Sequence, residues 1–177
     1  MAWVTPPTFT SGNVLTAAQM QILTGDLAET AVAKATFTGE YFVAEGANTL
    51  GARRVMSDTL DSIATTTNTS YVHSGMPQVT VTTNSGALVF LFSYIRNDTA
   101  SQASFYGFQV TGTTTSAASD NAALHAGKFV SDFAFTASTV IHKTGLTAGS
   151  GNVFTAGVRV TGGTGTWDHR RIAVLPL

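Results

Sequence analysis

The chain runs through three hydrophobic rhythms in succession. Residues Met1–Val14 (MAWVTPPTFTSGNV) carry the apolar side chains Trp3, Val4, Phe9 and Val14 at neither a helical nor a strand period. Pro6 and Pro7 fix φ, supply no backbone donor and push Val4-Thr5 towards extended geometry, so this stretch is predicted as an extended or polyproline arm. A helical period follows. Thr16-Ala17-Ala18-Gln19 spells a capping box, and Leu15 and Met20 flank it as a hydrophobic staple. Met20, Leu23, Leu27 and Ala31 then form a narrow apolar stripe, with Ile22 beside it. A stripe this narrow suits lying on a surface or a helix–helix seam better than a globular core.

The third rhythm is that of short strands between turn signals. Thr36–Val43 reads as a short strand or extended connector, and Ala44–Met56 as a loop on the flank of the body. Ser57–Thr67 is polar and Thr-rich, a boundary into the body, with a single helical turn over Asp58–Ile63 as the alternative. From residue 68 the expected strands are Thr69–His73, Gln78–Thr83, Ala87–Arg96, Ser104–Thr111, Lys128–Thr136, Thr139–Lys143, Val153–Thr161 and Arg170–Leu175. Asn84-Ser85-Gly86, Asn97-Asp98, Gly149-Ser150-Gly151 and Gly162-Gly163-Thr164-Gly165 are the expected turns. Asp120–His125 reads equally as a strand or a helical turn. The predicted organisation is an N-terminal arm and helix over 1–35, a connector over 36–67, and an antiparallel, jelly-roll-like β-sandwich over 68–177.

One strand is apolar on both faces. In Ala87–Arg96 (ALVFLFSYIR), Leu88, Phe90, Phe92 and Tyr94 share one face and Val89, Leu91 and Ile95 the other. A strand with one solvated face alternates apolar with polar instead. Ser104–Val110 is similarly rich, with Tyr106, Phe108 and Val110 on one side and Phe105 on the other. Something must cover the outer face of these strands: another copy of the chain, or the arm or helix folded back. Val89, Leu91, Phe92, Tyr94, Tyr106, Phe108 and Arg171 are the candidate oligomer-interface residues, with Arg171 and Asp168 placed to pair across a subunit seam.

Composition narrows the function classes. Charged residues make up 11% of the 177-residue chain and the net charge is −1, against the basic footprint that nucleic-acid binding needs. There is no cysteine, hence no disulfide framework and no Cys-type zinc site. No apolar run reaches ~18–20 residues and no charged-then-apolar leader opens the chain, so neither a membrane span nor a signal peptide is expected. His73, His125, His142 and His169 lack metal-ligand spacing, and no nucleophile elbow, Walker A loop or dinucleotide fingerprint occurs. Two Asn-X-Ser/Thr matches, at Asn68 and Asn97, mean little without a secretory signal. No catalytic, cofactor-binding or metal-binding residue is expected, and the chain reads as a non-enzyme. A glycan-cleaving carboxylate pair is the enzymatic alternative, with no spacing that singles one out.

Several segments together carry a family resemblance. The Trp/Pro arm and the helix entry Gly12-Asn13-Val14-Leu15-Thr16-Ala17-Ala18-Gln19 resemble the start of small virion proteins of tailed bacteriophages, especially those of actinobacterial hosts. The similarity continues through Tyr41–Asn48, Val110–Thr115, Ala118–Asp120, Phe154–Ala156 and Arg171–Val174. Such proteins are capsid decoration or head-fibre proteins and minor tail proteins. The resemblance implies a homotrimeric jelly-roll body located on the virion, assembled in the host cytoplasm, with the N-terminal segment docking on the phage major capsid protein. The alternative partners are tail proteins or a host-surface glycan, as for a receptor-binding minor tail protein. The anchoring residues are then Trp3, Val4, Pro6, Pro7, Phe9, Val14, Leu15, Met20, Leu23 and Leu27. About fourteen extended residues reach roughly 46 Å at ~3.3 Å each. Ordering them costs about 1–2 kcal/mol per residue, which four large side chains returning about 1.5–3 kcal/mol each do not cover alone; the stretch reads either as a frayed terminus or as an arm that orders only on a partner.

Overall fold

The computed structural model describes residues 16–28, 38–46, 49–127 and 134–177. They fall into two compact units, Met1–Arg54 and Val55–Leu177.

In the first unit the capping box forms as the sequence specifies. The Gln19 N–H donates to the Thr16 hydroxyl at 3.2 Å, and the Thr16 N–H donates back to Gln19 Oε1 at 3.0 Å. Two of the donors that a helix start leaves unpaired are thereby satisfied, and α1 runs over Ala17–Ala28. Met20 is 48% exposed within the described structure. The arm candidates Trp3, Val4, Pro6, Pro7, Phe9, Val14 and Leu15 lie outside the described residues, as do the side chains of Leu23 and Leu27. The expected loop over Ala44–Met56 is instead largely a hairpin. β1 (Glu40–Gly46) pairs antiparallel with β2 (Thr49–Arg54), with an irregularity between Ala44 and Gly46. Its strands are short and Gly-marked, and backbone pairing rather than side-chain alternation defines them.

The second unit is an antiparallel sandwich. One sheet has the order β3-β11-β6-β9, with β4 also on β11, and the other the order β5-β10-β7-β8. The strands are β3 (Met56–Leu60), β4 (Ala64–Thr66), β5 (Gln78–Thr83), β6 (Gly86–Asn97), β7 (Ser104–Gly112), β8 (Ala123–Ala126), β9 (Ala134–Thr144), β10 (Gly149–Val160) and β11 (Gly165–Pro176). From β5 to β6 and again from β6 to β7 the chain crosses between sheets. First and last strands meet in one sheet, the jelly-roll order.

The sandwich takes in residues upstream of 68. β3 pairs with Arg170–Val174 of β11 and β4 with Gly165–Trp167, so neither a boundary nor a helical turn occupies this stretch. Three other expectations change. Val72 makes only an isolated bridge to Val158 where a strand over Thr69–His73 was expected. A single strand, β9, runs through the expected break between residues 136 and 139; residues 128–133 lie outside the described residues. Gly149-Ser150-Gly151 is a register irregularity at the start of β10, where Gly149 already pairs with Thr83 and the ladder to β5 resumes at Asn152 and Val81. Asp120–His125 resolves into a short 3-10 turn, Asp120–Ala122, followed by β8.

Every second side chain of the long strands faces the other sheet. Ala87, Val89, Leu91 and Ile95 of β6 and Trp167, Ile172 and Val174 of β11 pack against Val79, Val81, Tyr106, Phe108, Val110, Phe154, Val158 and Val160. Polar pins hold both ends. Buried Asn152 donates to Thr83 Oγ1 (2.7 Å) and the Thr147 carbonyl (2.9 Å) and accepts from the Thr114 N–H (2.9 Å). Asn97 donates to Ser104 Oγ at 3.0 Å and the Gly162 carbonyl at 3.2 Å. β11 also buries a charge. A register shift between Asp168 and Arg171, with His169 at φ 49°, turns Arg170 inward. Its guanidinium donates to the Ser62 carbonyl and hydroxyl (2.7 and 3.0 Å) and the Gly75 carbonyl (3.3 Å). The last strand, expected over Arg170–Leu175, starts earlier at Gly165, and Asp168–Arg171 forms a bulge inside it that ties two loops to the core.

Candidate functional site

The two outer faces of the sandwich differ in chemistry. On the sheet containing β6, the residues between the core positions point outward: Leu88, Phe90, Phe92 and Tyr94. Cross-strand neighbours extend this surface. Phe90 stands opposite Val140 on β9 and Ala173 on β11, Leu88 opposite Leu175, and Phe92 opposite Arg171. Phe90 is 38% and Val140 56% exposed, and the Arg171 guanidinium lies 5.4 Å from the centroid of the Phe92 ring. The result is an apolar stripe across three strands, edged by Arg171 and His142.

This assigns the two faces that periodicity left open. Phe92, Tyr94 and Arg171 belong to the outer surface. Val89, Leu91, Tyr106 and Phe108 do not: each is almost wholly buried between the sheets of one chain, so they leave the set of interface candidates. Their physical reason is register, since β6 and β7 present these residues to the same interior. Asp168 turns to its neighbour, with Oδ2 3.3 Å from His169 Nδ1.

The opposite outer face, on the sheet containing β7 and β10, is polar and aromatic. Arg159 on β10 stands opposite Phe105 on β7, which stands opposite His125 on β8. The Arg159 guanidinium sits 4.3 Å above the Phe105 ring, and Phe105 and His125 stack at 5.6 Å. Arg159 Nε donates to Asp120 Oδ1 at 2.7 Å, and Nη2 closes a second bond to Oδ2. Such a fork-on-fork pair fixes geometry as well as charge. Tyr71 Oη also donates to Asp120 Oδ1, at 3.1 Å. Hydrogen bonds from Arg159 hold the Asp120 carboxyl below its usual range. Burial, and then the Asp120 charge, push the Tyr71 hydroxyl far above its own.

The floor beneath Tyr71 is made by glycines. Gly107 and Gly157 are cross-strand partners on β7 and β10. A Cβ at Gly107 would sit 3.0 Å from the Tyr71 ring, and one at Gly157 would overlap the His73 imidazole. The two rings lie over the bare backbone with planes 19° apart and centroids separated by 6.1 Å. The backbone bridge between Val72 and Val158 and a 2.9 Å contact from His73 Nδ1 to the Ala156 carbonyl hold the segment in place. An open groove of about 590 Å³ results, lined by Thr69, Ser70, Tyr71, His73, Gln109, Ala117, Ala118, Ser119, Asp120 and Arg159.

Sequence reasoning left Asp120 in a segment read equally as strand or helical turn and missed its union with Tyr71 and Arg159, which are separated from it by 49 and 39 positions. A signal was present in the glycines: Gly107 and Gly157 interrupt otherwise good strands, which marks close approach of other groups. Among the described residues no three His, Asp or Glu side chains gather as a metal site, and no helix is long and apolar enough to cross a membrane.

No family model and no curated protein sequence matches the chain. Among solved structures, the Eiger TNF from S. frugiperda is similar with a TM-score of 0.46 and 13% identity, over 70% of this chain and 92% of that one. The Gt-strain structure of infectious bursal disease virus is similar with a TM-score of 0.45 and 11% identity, over 76% of this chain and 37% of that one. The VP2 subviral particle of the same virus gives a TM-score of 0.44 at 11% identity, with the same coverage. At these TM-scores the likenesses carry no argument about function.

Proposed function

We propose that this chain is a bacteriophage virion structural protein, a capsid decoration protein whose sandwich bodies associate as a homotrimer. The observation that carries the reading is the apolar stripe centred on Phe90, Phe92 and Val140. Large exposed apolar surface on a sheet marks an interaction site, and the occupants proposed here are the two other copies of the trimer, whose stripes converge around a threefold axis. Few charges oppose that contact: the net charge is −1, so copies meet without strong mutual repulsion. The segment before the sandwich is the anchor on the major capsid protein. Its support is the resemblance of the Trp/Pro arm and helix entry to phage virion proteins, together with the formed capping box at Thr16 and Gln19.

Three weak arms on one trimer act at high effective concentration, which raises avidity by about 10²–10⁴ over one contact. Deleting Met1–Val14 is expected to leave a soluble trimer that no longer binds particles. Imaging of the virion tests location: density distributed over the head lattice supports decoration, and density confined to the tail overturns it.

A further inference from the structure

We infer that the groove formed by Tyr71, His73, Gln109, Ser119, Asp120 and Arg159 is a binding site for a neutral saccharide. The inference stands on the groove's own chemistry and not on self-association, and the groove lies on the face opposite the proposed subunit contact.

Three observations specify the ligand class. First, the Tyr71 and His73 rings are nearly coplanar, 19° apart with centroids at 6.1 Å, and lie over glycine backbone at Gly107 and Gly157. Each ring therefore has one face against the sheet and the other turned to the groove. A pair of aligned ring faces suits the flat C–H face of a pyranose, which is apolar on its faces and polar around its rim. Second, the groove's cation is already matched. Arg159 donates twice to Asp120, and its Nη1 lies 3.2 and 3.3 Å from the Thr69 and Val160 carbonyls. An anionic ligand would have to break this network and would meet the Asp120 carboxylate. Third, Asp120 accepts from Arg159 and Tyr71 and keeps acceptor capacity, while Gln109 and Ser119 add donors and acceptors at the same rim. A volume of about 590 Å³ falls within the range of small-ligand sites, which pair apolar walls with a few fixed polar groups.

The locked Asp120–Arg159 pair also explains selectivity. A hydroxyl donating to Asp120 finds an acceptor that needs no reorganisation, whereas a ligand lacking the hydroxyl leaves that acceptor facing an apolar atom.

The test is titration of the full-length protein with neutral tetrasaccharides of glucose, galactose, mannose and N-acetylglucosamine, beside sulfated counterparts, followed by amide and aromatic NMR shifts. Saturable binding of a neutral probe at millimolar concentration or below, with shifts centred on Tyr71, His73 and Gln109, is the expected result. Tyr71→Ala is expected to weaken it about 2- to 12-fold, the range for loss of one aromatic contact. Gln109→Ala, which removes no bond within the Tyr71–Asp120–Arg159 network, is expected to weaken binding while leaving the Tm unchanged, and keeps the test valid if Tyr71→Ala unfolds. Binding of sulfated probes alone, shifts centred elsewhere, or no binding by any neutral probe would overturn the inference.

Discussion

Neighbouring residues on β6 should fail in opposite ways when each is replaced by Asp. Leu91 is 1% exposed and faces the interior between the sheets, while Phe90, one residue earlier, is 38% exposed on the outer face. Leu91→Asp forfeits about 1.5–3 kcal/mol of side-chain burial and places an unpaired carboxylate in the core, at several kcal/mol more. Against a total stability of about 5–15 kcal/mol, the variant should not hold a native fold. Phe90→Asp leaves the interior intact and costs the single chain about 1 kcal/mol or less through strand preference. In the proposed trimer each copy would bury an unpaired charge, at about 3–5 kcal/mol per contact, which weakens association by roughly two to three and a half orders of magnitude. Circular dichroism with sedimentation velocity separates the outcomes: an unfolded Leu91→Asp, and a folded, monomeric Phe90→Asp. A Phe90→Asp variant that keeps the wild-type sedimentation mass would refute the assignment of this face.

Three further changes probe other parts of the account. Asp120 has a folded-state pKa below its ordinary value because of Arg159, so its contribution to stability is complete above the unfolded value of about 3.9 and is lost as pH falls through the folded one; urea midpoints of wild type and Asp120→Asn should differ at pH 7 and converge well below pH 4, and a difference unchanged by pH would contradict the linkage. Gly112 has φ +89° and no room for a Cβ beside the Gly151 carbonyl, so Gly112→Ala should cost about 1–3 kcal/mol or more and lower the Tm, whereas Gly145→Ala, at φ +71° in open space, should cost less. Thr16→Ala removes the helix cap and should destabilise α1 by about 1 kcal/mol, read as lost helical signal with the sandwich transition unmoved; an unchanged signal would contradict the capping role.

What could be read in the sequence was whatever depends on local pattern. Thr16 and Gln19 announced the cap because both partners lie within one turn. Gln78–Thr83 matched its expected span because it alternates strictly between exposed and buried positions. β6 announced two apolar faces, yet not which one was inner, since both carry large side chains. That answer depends on β11 and β9 as neighbours, which supply Val140, Ala173 and Leu175 to one side. Met56–Leu60 escaped recognition because its pairing partner is more than a hundred positions away on β11. The groove was least legible, because Tyr71, Asp120 and Arg159 meet only through pairing across β7 and β10. The inward turn of Arg170 was not legible for a local reason: a one-residue bulge at His169 breaks the alternation along β11.

The mass of the full-length chain in solution tests the central claim most directly. One chain is 18.4 kDa, and the account predicts that light scattering after size exclusion gives three times that value at micromolar concentration. A stable particle of one chain mass, with Phe90 and Val140 left open to water, would contradict it.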